Sequence, residues 1–219
     1  MWVLAAGLMV SVAGCGGGQA VPHEGAGPVS GAREGGLGTG PGTVLDAEAL
    51  RKALPDLQSM PVGWKTGITQ LNARDVPREK RCPKEGGPKD CWLQWSHGTV
   101  QYRAPGDSGS VDWYLSAYPD REVAGTAFKN RHGNKPSAAS EVSMPKVGDE
   151  SLAYAKPRAA YADPSIAMTV RVGTVIAVLT YQDSEKNPDS AQVLLSLAQM
   201  QAKRLRQAEL GRVPTATAG

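Results

Sequence analysis

The strongest constraint on the fold is a pair of apolar segments separated by two residues. Residues 165–172 and 175–181 flank Gly173-Thr174, and a glycine at the first position of a two-residue loop suits a type II′ β-hairpin. In that register apolar residues face each other, with Val172 opposite Val175, Val170 opposite Ala177 and Met168 opposite Leu179. The other face of the hairpin is mixed, so we expect one face to be directed to a core.

The rest of the chain alternates between strand and helix patterns. Asp46 and Asp120 stand where helix N-caps are expected, and residues 111–118 alternate between apolar and polar side chains as strands do. We predict helices at 47–54, 120–133 and 187–210, and strands at 68–73, 99–103, 111–118, 151–155, 165–172 and 175–181. This order predicts an α+β domain with a single antiparallel sheet of about five to seven strands, flanked by two or three helices.

The first 15 residues carry the clearest motif. Residues 2–14 hold no charge and are too few to span a bilayer, which takes about 20 residues, and the run ends in Val12-Ala13-Gly14-Cys15. It resembles a bacterial lipobox, which implies a signal peptide at 1–14 and diacylglycerol and palmitate-like acyl chains on Cys15. The alternative is an ordinary signal peptide. Because no Lys or Arg precedes the run, either the Met1 amine supplies the positive charge or the signal begins upstream, which we favour.

The segment that follows Cys15 divides the chain into regions. Up to residue 43 it is dominated by glycine, with three prolines and few large apolar residues, a composition typical of a flexible tether. We therefore predict a lipidated cysteine and tether at 15–43, a folded extracellular domain at 44–211, and a disordered tail at 212–219.

Composition narrows the classes of function. The formal charge of +3 among 219 residues is too weak and too evenly spread to favour nucleic-acid binding. With Cys15 acylated, Cys82 and Cys91 are left as a pair, and export favours a disulfide between them, worth about 2.7 kcal/mol in the chain-entropy model. A metal site is the alternative, but two cysteines without nearby histidines offer too few ligands. No metal or cofactor is predicted.

No catalytic motif in the sequence is complete, so none of them favours an enzyme. Gly106-Asp107-Ser108-Gly109 imitates the nucleophile loop of trypsin-like proteases, but a convergent His and Asp are missing and a turn is the better interpretation. The acidic run from Asp183 to Asp189 has Pro188 where a calcium loop needs glycine. The candidate binding surface is aromatic and comprises Trp92, Trp95, His97, Tyr102 and Trp113.

Three patterns resemble a known family. Residues 147–154 (Val-Gly-Asp-Glu-Ser-Leu-Ala-Tyr), residues 170–175 (Val-Arg-Val-Gly-Thr-Val) and a long terminal helix look like actinobacterial exported lipoproteins. They also look like the extracellular sensor domains of actinobacterial Ser/Thr kinases. The resemblance implies an antiparallel sheet flanked by helices, with a cleft that takes a ligand in some members, and it carries no catalytic residues to transfer.

These observations predict a membrane-anchored extracytoplasmic binding or sensing module that is not an enzyme. Its expected partners are the cell membrane, through the lipid on Cys15, and either a small-molecule or lipid ligand or an envelope protein. Two alternatives stay open. One is an accessory or scaffold protein for an envelope enzyme or complex, acting through the basic loop at 74–90, and the other is an unrecognised envelope enzyme.

Overall fold

The structure is a computed structural model that describes residues 43–83, 92–133, 138–158, 163–183 and 189–218. The predicted signal peptide, Cys15 and the tether up to residue 42 lie outside these ranges. The α-helices are α1 (Ala47–Ala53), α2 (Arg121–Gly133) and α3 (Ser190–Glu209). The strands are β1 (Lys65–Thr66), β2 (Asn72–Asp75), β3 (Ser96–Arg103), β4 (Gly109–Ala117), β5 (Ser140–Glu141), β6 (Glu150–Lys156), β7 (Ser165–Val172) and β8 (Val175–Asp183).

Within the described ranges, the eight strands form one sheet in the order β1-β3-β4-β8-β7-β6-β5, and β2 also pairs with β3. Every pair of neighbouring strands is antiparallel. The predicted α+β class with a single antiparallel sheet and flanking helices is therefore confirmed. The sheet exceeds the expected five to seven strands because β1 and β5 are pairs of residues too short to recognise as strands from sequence.

The hairpin of β7 and β8 has the predicted register. Val172 pairs with Val175, Val170 with Ala177 and Met168 with Leu179. Gly173 in the loop has φ +54°, a left-handed conformation that glycine adopts without a steric penalty. These six apolar residues are buried on one face of the sheet, which we call the inner face.

The main core lies between the inner face and the helices α1 and α3. Trp113, Leu115 and Leu179 of the central strands are almost completely buried in it. The inner stripe of α3 was predicted from its helical spacing and is confirmed, since Leu194, Leu197, Ala198 and Leu205 are all buried. The carboxylate of Asp46, the predicted N-cap, accepts a hydrogen bond of 2.8 Å from the backbone N–H of Ala49 and so fixes the start of α1.

Helix α2 covers part of the opposite, outer face. Ala124, Ala127 and Phe128 pack there against Ile176 of β8. The carboxylate of Asp120 accepts a hydrogen bond of 2.8 Å from the backbone N–H of Val123, as expected for the N-cap. The sheet is therefore layered between helices on both faces.

The sheet has two ends that matter for function. At the first, the entry end, the hydroxyl of Thr174 donates to the carbonyl oxygen of Thr43 (3.3 Å) and that of Ser96 donates to the carbonyl oxygen of Leu45 (2.6 Å). The chain thus enters the domain beside the loop between β7 and β8 and the start of β3. At the far end β3 ends and β4 begins, and the length of β4 separates the two ends by about 27 Å.

Two sequence-based expectations differ from the structure. The strand expected at 68–73 is replaced by β1 and β2, and Ile68 between them is 81% exposed. The backbone N–H of Gly67 donates to the carbonyl oxygen of Gln101 (2.8 Å), and the N–H of Gln101 donates to that of Thr69 (2.9 Å). The side chain of Gln101 also accepts a hydrogen bond from the N–H of Ile68 (2.8 Å), so the pairing with β3 is irregular between β1 and β2.

The tail expected to be disordered at 212–219 is ordered over its described residues. The backbone N–H of Ala218 donates to the carbonyl oxygen of Ser59 (2.9 Å), and Gln207 accepts from the backbone N–H of Thr215 (2.9 Å). Side chains of α3 thus supply hydrogen-bond partners that tail composition alone does not reveal.

Candidate functional site

A pocket of about 560 Å³ opens at the far end of the sheet. We call it the Trp64 pocket. Its walls come from the turn before β1, the connection between β3 and β4, the end of β8 and the first turns of α3. The lining residues are Pro61, Trp64, Ala104, Pro105, Ser108, Tyr181, Asp189, Gln192, Val193, Ser196 and Leu197.

Local sequence places each wall of the Trp64 pocket. Gly63 has φ +90°, so the chain turns sharply and delivers Trp64, whose backbone N–H donates to the carbonyl oxygen of Pro61 (3.3 Å). Val193 and Leu197 lie four residues apart on α3 and therefore share one helical face. The ring of Trp64 lies 6.4 Å from that of Tyr181 at an angle of 55°.

The pocket lining contains both apolar and polar side chains, and its polar residues are Ser108, Tyr181, Asp189, Gln192 and Ser196. Burial raises the pKa of Tyr181, and the nearby charge of Asp183 raises it further. The phenol therefore stays protonated at neutral pH and can act as a hydrogen-bond donor. Asp183 itself accepts a hydrogen bond of 2.6 Å from the hydroxyl of Ser190 at the start of α3.

Close packing explains a glycine beside this tyrosine. A Cβ at Gly109 would lie 2.7 Å from the hydroxyl oxygen of Tyr181 and 2.7 Å from the carbonyl oxygen of Gln182. Any larger residue would have to displace the tyrosine or the strand behind it. The first residue of β4 thus leaves room for the Tyr181 hydroxyl.

A second cluster lies on the outer face at the entry end. The ring of His97 stacks between those of Trp92 and Tyr114, at centroid distances of 6.0 Å and 6.2 Å. Arg131 lies 5.9 Å above the ring of Tyr114, and Gln94 donates a hydrogen bond of 2.9 Å to its hydroxyl. We call Trp92, His97 and Tyr114 the His97 stack.

The electrostatics of the His97 stack favour a neutral imidazole. Burial lowers the pKa of His97, and the positive charge of Arg74, which is opposite His97 in the pairing of β2 with β3, lowers it further. Nδ1 of His97 is buried and has no hydrogen-bond partner among the described residues. A protonated ring would therefore carry a charge in a site that contains a neighbouring cation.

The structure divides the predicted aromatic surface. Trp92 and His97 come together in the His97 stack, whereas Trp95 lies under Arg81, whose guanidinium is 5.0 Å from its ring. Tyr102 and Trp113 belong to the core on the inner face, where only 3% and 1% of their surface is exposed and their rings meet edge to face at 5.8 Å.

The hydroxyl of Tyr102 is used within the fold. It donates a hydrogen bond of 2.8 Å to the carbonyl oxygen of Pro55. Burial raises the pKa of Tyr102 to about 12, with a further contribution from Asp56. This hydroxyl therefore ties β3 to the segment after α1.

The disulfide predicted between Cys82 and Cys91 involves one described residue, Cys82, because Cys91 lies outside the described ranges. The backbone N–H of Cys82 donates to the carbonyl oxygen of Trp92 (3.0 Å), and the N–H of Trp92 donates to that of Lys80 (2.8 Å). These bonds hold the residue after Cys91 beside Cys82. The disulfide stays a prediction that this geometry supports.

Sequence reasoning did not identify the Trp64 pocket. Its walls come from four segments far apart in the chain, and none carries a motif. Tyr114 and Arg131 were also missed as neighbours of His97, although strand alternation placed Tyr114 opposite the core-facing residues of β4. Within the described ranges, no group of three or more His, Cys, Asp or Glu side chains could hold a metal ion. No helix of the described part is long and apolar enough to cross a membrane.

Among known proteins, one solved structure is similar to this chain. No family model matches the chain, and no curated protein matches it. The chain is similar to the crystal structure of the extracellular domain of PknH from Mycobacterium tuberculosis. The two share 10% sequence identity with a TM-score of 0.48, and the similarity covers 77% of this chain and 98% of that chain.

Proposed function

We propose that this protein is a membrane-anchored extracytoplasmic lipoprotein that acts as a non-catalytic binding module, with the Trp64 pocket as its ligand site. The observation that carries the proposal is the pocket itself. Its volume of about 560 Å³ falls in the range of about 300–1,000 Å³ typical of small-molecule sites. Apolar walls with a few directed polar groups are the usual composition of such sites.

The lining indicates what kind of ligand the pocket takes. Trp64, Val193 and Leu197 supply apolar side chains to the lining, and Tyr181 supplies a hydroxyl that can donate a hydrogen bond. His97, the described residue most suited to general acid–base chemistry at neutral pH, lies on the outer face at the other end of the sheet. A partly apolar small molecule or lipid that is held without being transformed suits this arrangement.

Native mass spectrometry of the protein extracted from its host membrane tests the binding site. We expect a reproducible additional mass that leaves on denaturation. Ser196 is half-buried in the pocket wall, so Ser196→Trp should fill the pocket and remove that mass. Ser196→Ala keeps the pocket open and should retain it, while both variants should unfold at similar temperatures. An additional mass present at equal level in Ser196→Trp would place the ligand elsewhere, and its absence from the wild type would contradict a ligand carrier.

The anchor is tested separately. Two or more attached acyl chains anchor a protein stably in a membrane, whereas a single chain gives only weak, reversible binding. We therefore expect Cys15→Ser to leave the membrane fraction after a wash with high salt, whereas the wild type stays. Retention of Cys15→Ser after that wash would show that the lipid on Cys15 is not the anchor.

A further inference from the structure

The entry end of the sheet carries an exposed apolar pair surrounded by cations. Trp92 is 44% exposed and Leu93 is 48% exposed. The cations are Arg74 on β2 and, on the segment that follows β2, Arg78 and Lys80. All three side chains are exposed. We call these five residues the Trp92 patch.

Backbone bonds fix the patch next to the point where the chain enters the domain. The N–H of Trp95 donates to the carbonyl oxygen of Ala117 (2.7 Å), and the N–H of Tyr118 donates to that of Thr174 (2.9 Å). The hydroxyl of Thr174 bonds to Thr43, the first described residue. The exposed apolar pair and the entering chain therefore share one end of the sheet.

The charge of the patch is positive and available to a partner. Residues 74–81 carry four cationic side chains and two carboxylates, a net charge of +2. Arg81 is occupied, because it lies over Trp95 and donates from Nε to the carbonyl oxygen of Val76 (2.8 Å). Among the described residues, neither Arg78 nor Lys80 forms an ion pair.

The two carboxylates within residues 74–81 do not cancel this charge. Asp75 accepts a hydrogen bond from the backbone N–H of Ala47 (3.0 Å) at the start of α1, which directs it away from the cations and toward the helix. Glu79 alone stands between Arg78 and Lys80 in the sequence. An anionic surface laid against the patch would therefore gain attraction from at least two unpaired cations.

We infer that the Trp92 patch docks on an anionic lipid surface. Tryptophan prefers the interface between headgroups and acyl chains, because its ring is apolar and its N–H is polar. Lysine and arginine near such a surface are attracted by anionic headgroups. The 27 residues between Cys15 and Thr43 would have a root-mean-square reach of about 30 Å if they form the flexible tether predicted from their composition. A bilayer that holds Cys15 would then be within reach of the entry end.

This inference rests on the proposed anchor for its orientation, but it can be tested without the anchor. The protein to use is the full chain carrying Cys15→Ser, which removes the acyl chains and keeps everything else constant between variants. Its partitioning is measured by co-sedimentation with phosphatidylcholine vesicles that contain or lack phosphatidylglycerol. We expect stronger binding to the anionic vesicles, and loss of that preference at high salt.

Charge variants give the first arm of the test. Arg78→Gln with Lys80→Gln removes two cations, and at about 1 kcal/mol for each the partition coefficient on anionic vesicles should fall roughly thirty-fold at low salt. The matched control is Lys65→Gln with Arg103→Gln, a pair of exposed cations that face each other near the far end. The control should bind as the parent does.

Apolar variants give the second arm. Trp92→Ser with Leu93→Ser should weaken binding to both kinds of vesicle. Val62→Ser with Ile68→Ser, which alters two side chains that are 100% and 81% exposed near the far end, should not. All four pairs change exposed side chains and should remain folded. Trp92→Ser with Leu93→Ser also removes one ring of the His97 stack and should unfold at a somewhat lower temperature, so binding is compared below that temperature.

Equal partitioning of the patch variants and their controls would overturn the inference and favour an envelope protein as the partner of this surface. That result would leave the anchor and the Trp64 pocket untouched. Conversely, failure of Cys15→Ser to leave the membrane fraction would contradict the proposed anchor without changing the differences between these variants.

Discussion

The guanidinium of Arg204 donates a hydrogen bond of 2.9 Å to the hydroxyl oxygen of Ser59, although only 4% of Arg204 is exposed. The remaining donors of this side chain satisfy backbone carbonyl oxygens at the end of α1 and in the tail, those of Lys52, Ala53, Leu54 and Ala216. Helix ends leave such oxygens without partners, and a cation is favourable there. Burial lowers the pKa of Arg204, and the charge of Asp56 opposes that shift.

We predict that Arg204→Met lowers the free energy of unfolding by about 4 kcal/mol, because several buried acceptors lose their donor and each unsatisfied group costs about 1–3 kcal/mol. Urea denaturation measures this loss. Arg206→Met is the matched control, since Arg206 lies two residues further on the exposed side of α3, and it should change little. Similar losses for both variants would mean that the hydrogen bonds of Arg204 add no more stability than a surface charge.

The His97 stack should make stability depend on pH. Because the pKa of His97 is lowered from 6.5 in the folded protein, the unfolded chain binds a proton at a pH where the native state does not. The stability is then fully present above about pH 6.5 and is lost as the pH falls toward the folded pKa. The urea midpoint should therefore drop between about pH 8 and about pH 5, and less so in His97→Gln.

Arg74 should account for part of that shift. Arg74→Gln removes the nearby positive charge that lowers the pKa of His97 and leaves burial, which is the larger cause. An NMR titration of the His97 ring in this variant should therefore show a pKa that is higher than in the wild type but still below 6.5. Arg78→Gln is the control and should leave the titration unchanged. A titration of His97 in the wild type at or above 6.5 would contradict the assigned environment.

Two glycines should respond oppositely to alanine. Gly148 has φ +70°, and a Cβ there would lie 2.5 Å from the carbonyl oxygen of Arg171. Gly148→Ala should therefore lower the free energy of unfolding by about 2 kcal/mol or more. Gly125 lies inside α2 with open space around it, and Gly125→Ala should gain about 0.5–1 kcal/mol. Thermal unfolding of both variants measures the contrast, and a gain in Gly148→Ala would show that its turn is not constrained as described.

The predicted disulfide has a direct chemical test. Without reductant, the denatured wild type should leave Cys82 and Cys91 unlabelled by iodoacetamide and weigh two hydrogens less than the reduced protein. Reduction should lower the free energy of unfolding by about 2.7 kcal/mol, and Cys91→Ser should lose a similar amount and become insensitive to reductant. Labelling of Cys82 in the unreduced wild type would rule the bond out.

Local signals account for what the sequence predicted well. The register of β7 and β8 followed from a two-residue loop and a period of two, because a slip by one residue would have turned Val170 and Leu179 out of the core. Asp46 and Asp120 marked helix starts because a carboxylate can satisfy free backbone N–H groups only at that place. Residues 68–73 carry no such local signal, and around them the chain pairs with β3 in two short strands, β1 and β2.

The candidate site depended on contacts that no local pattern encodes. Trp64 and Tyr181 are 117 positions apart in the chain. Two strands, β3 and β4, also separate β1 from β8 in the sheet, yet the two rings lie 6.4 Å apart. Tyr102 and Trp113 were expected at a binding surface for their residue type, but alternation along β3 and β4 puts both on the inner face. The aromatic residue type suggested a binding function, but the position of each residue along its strand determines which face of the sheet its side chain lies on.

The placement of the entering chain and the Trp64 pocket at opposite ends of β4 has an electrostatic consequence. With the entry end on a bilayer, the nine residues of β4 hold the mouth of the pocket about 27 Å from the headgroups. The Debye length at physiological ionic strength is about 8 Å, so the surface potential of the lipid is screened before it reaches Tyr181. A ligand that approaches the pocket would therefore meet the ionic conditions of the surrounding solution, and its affinity should not vary with the charge of the membrane that carries the protein.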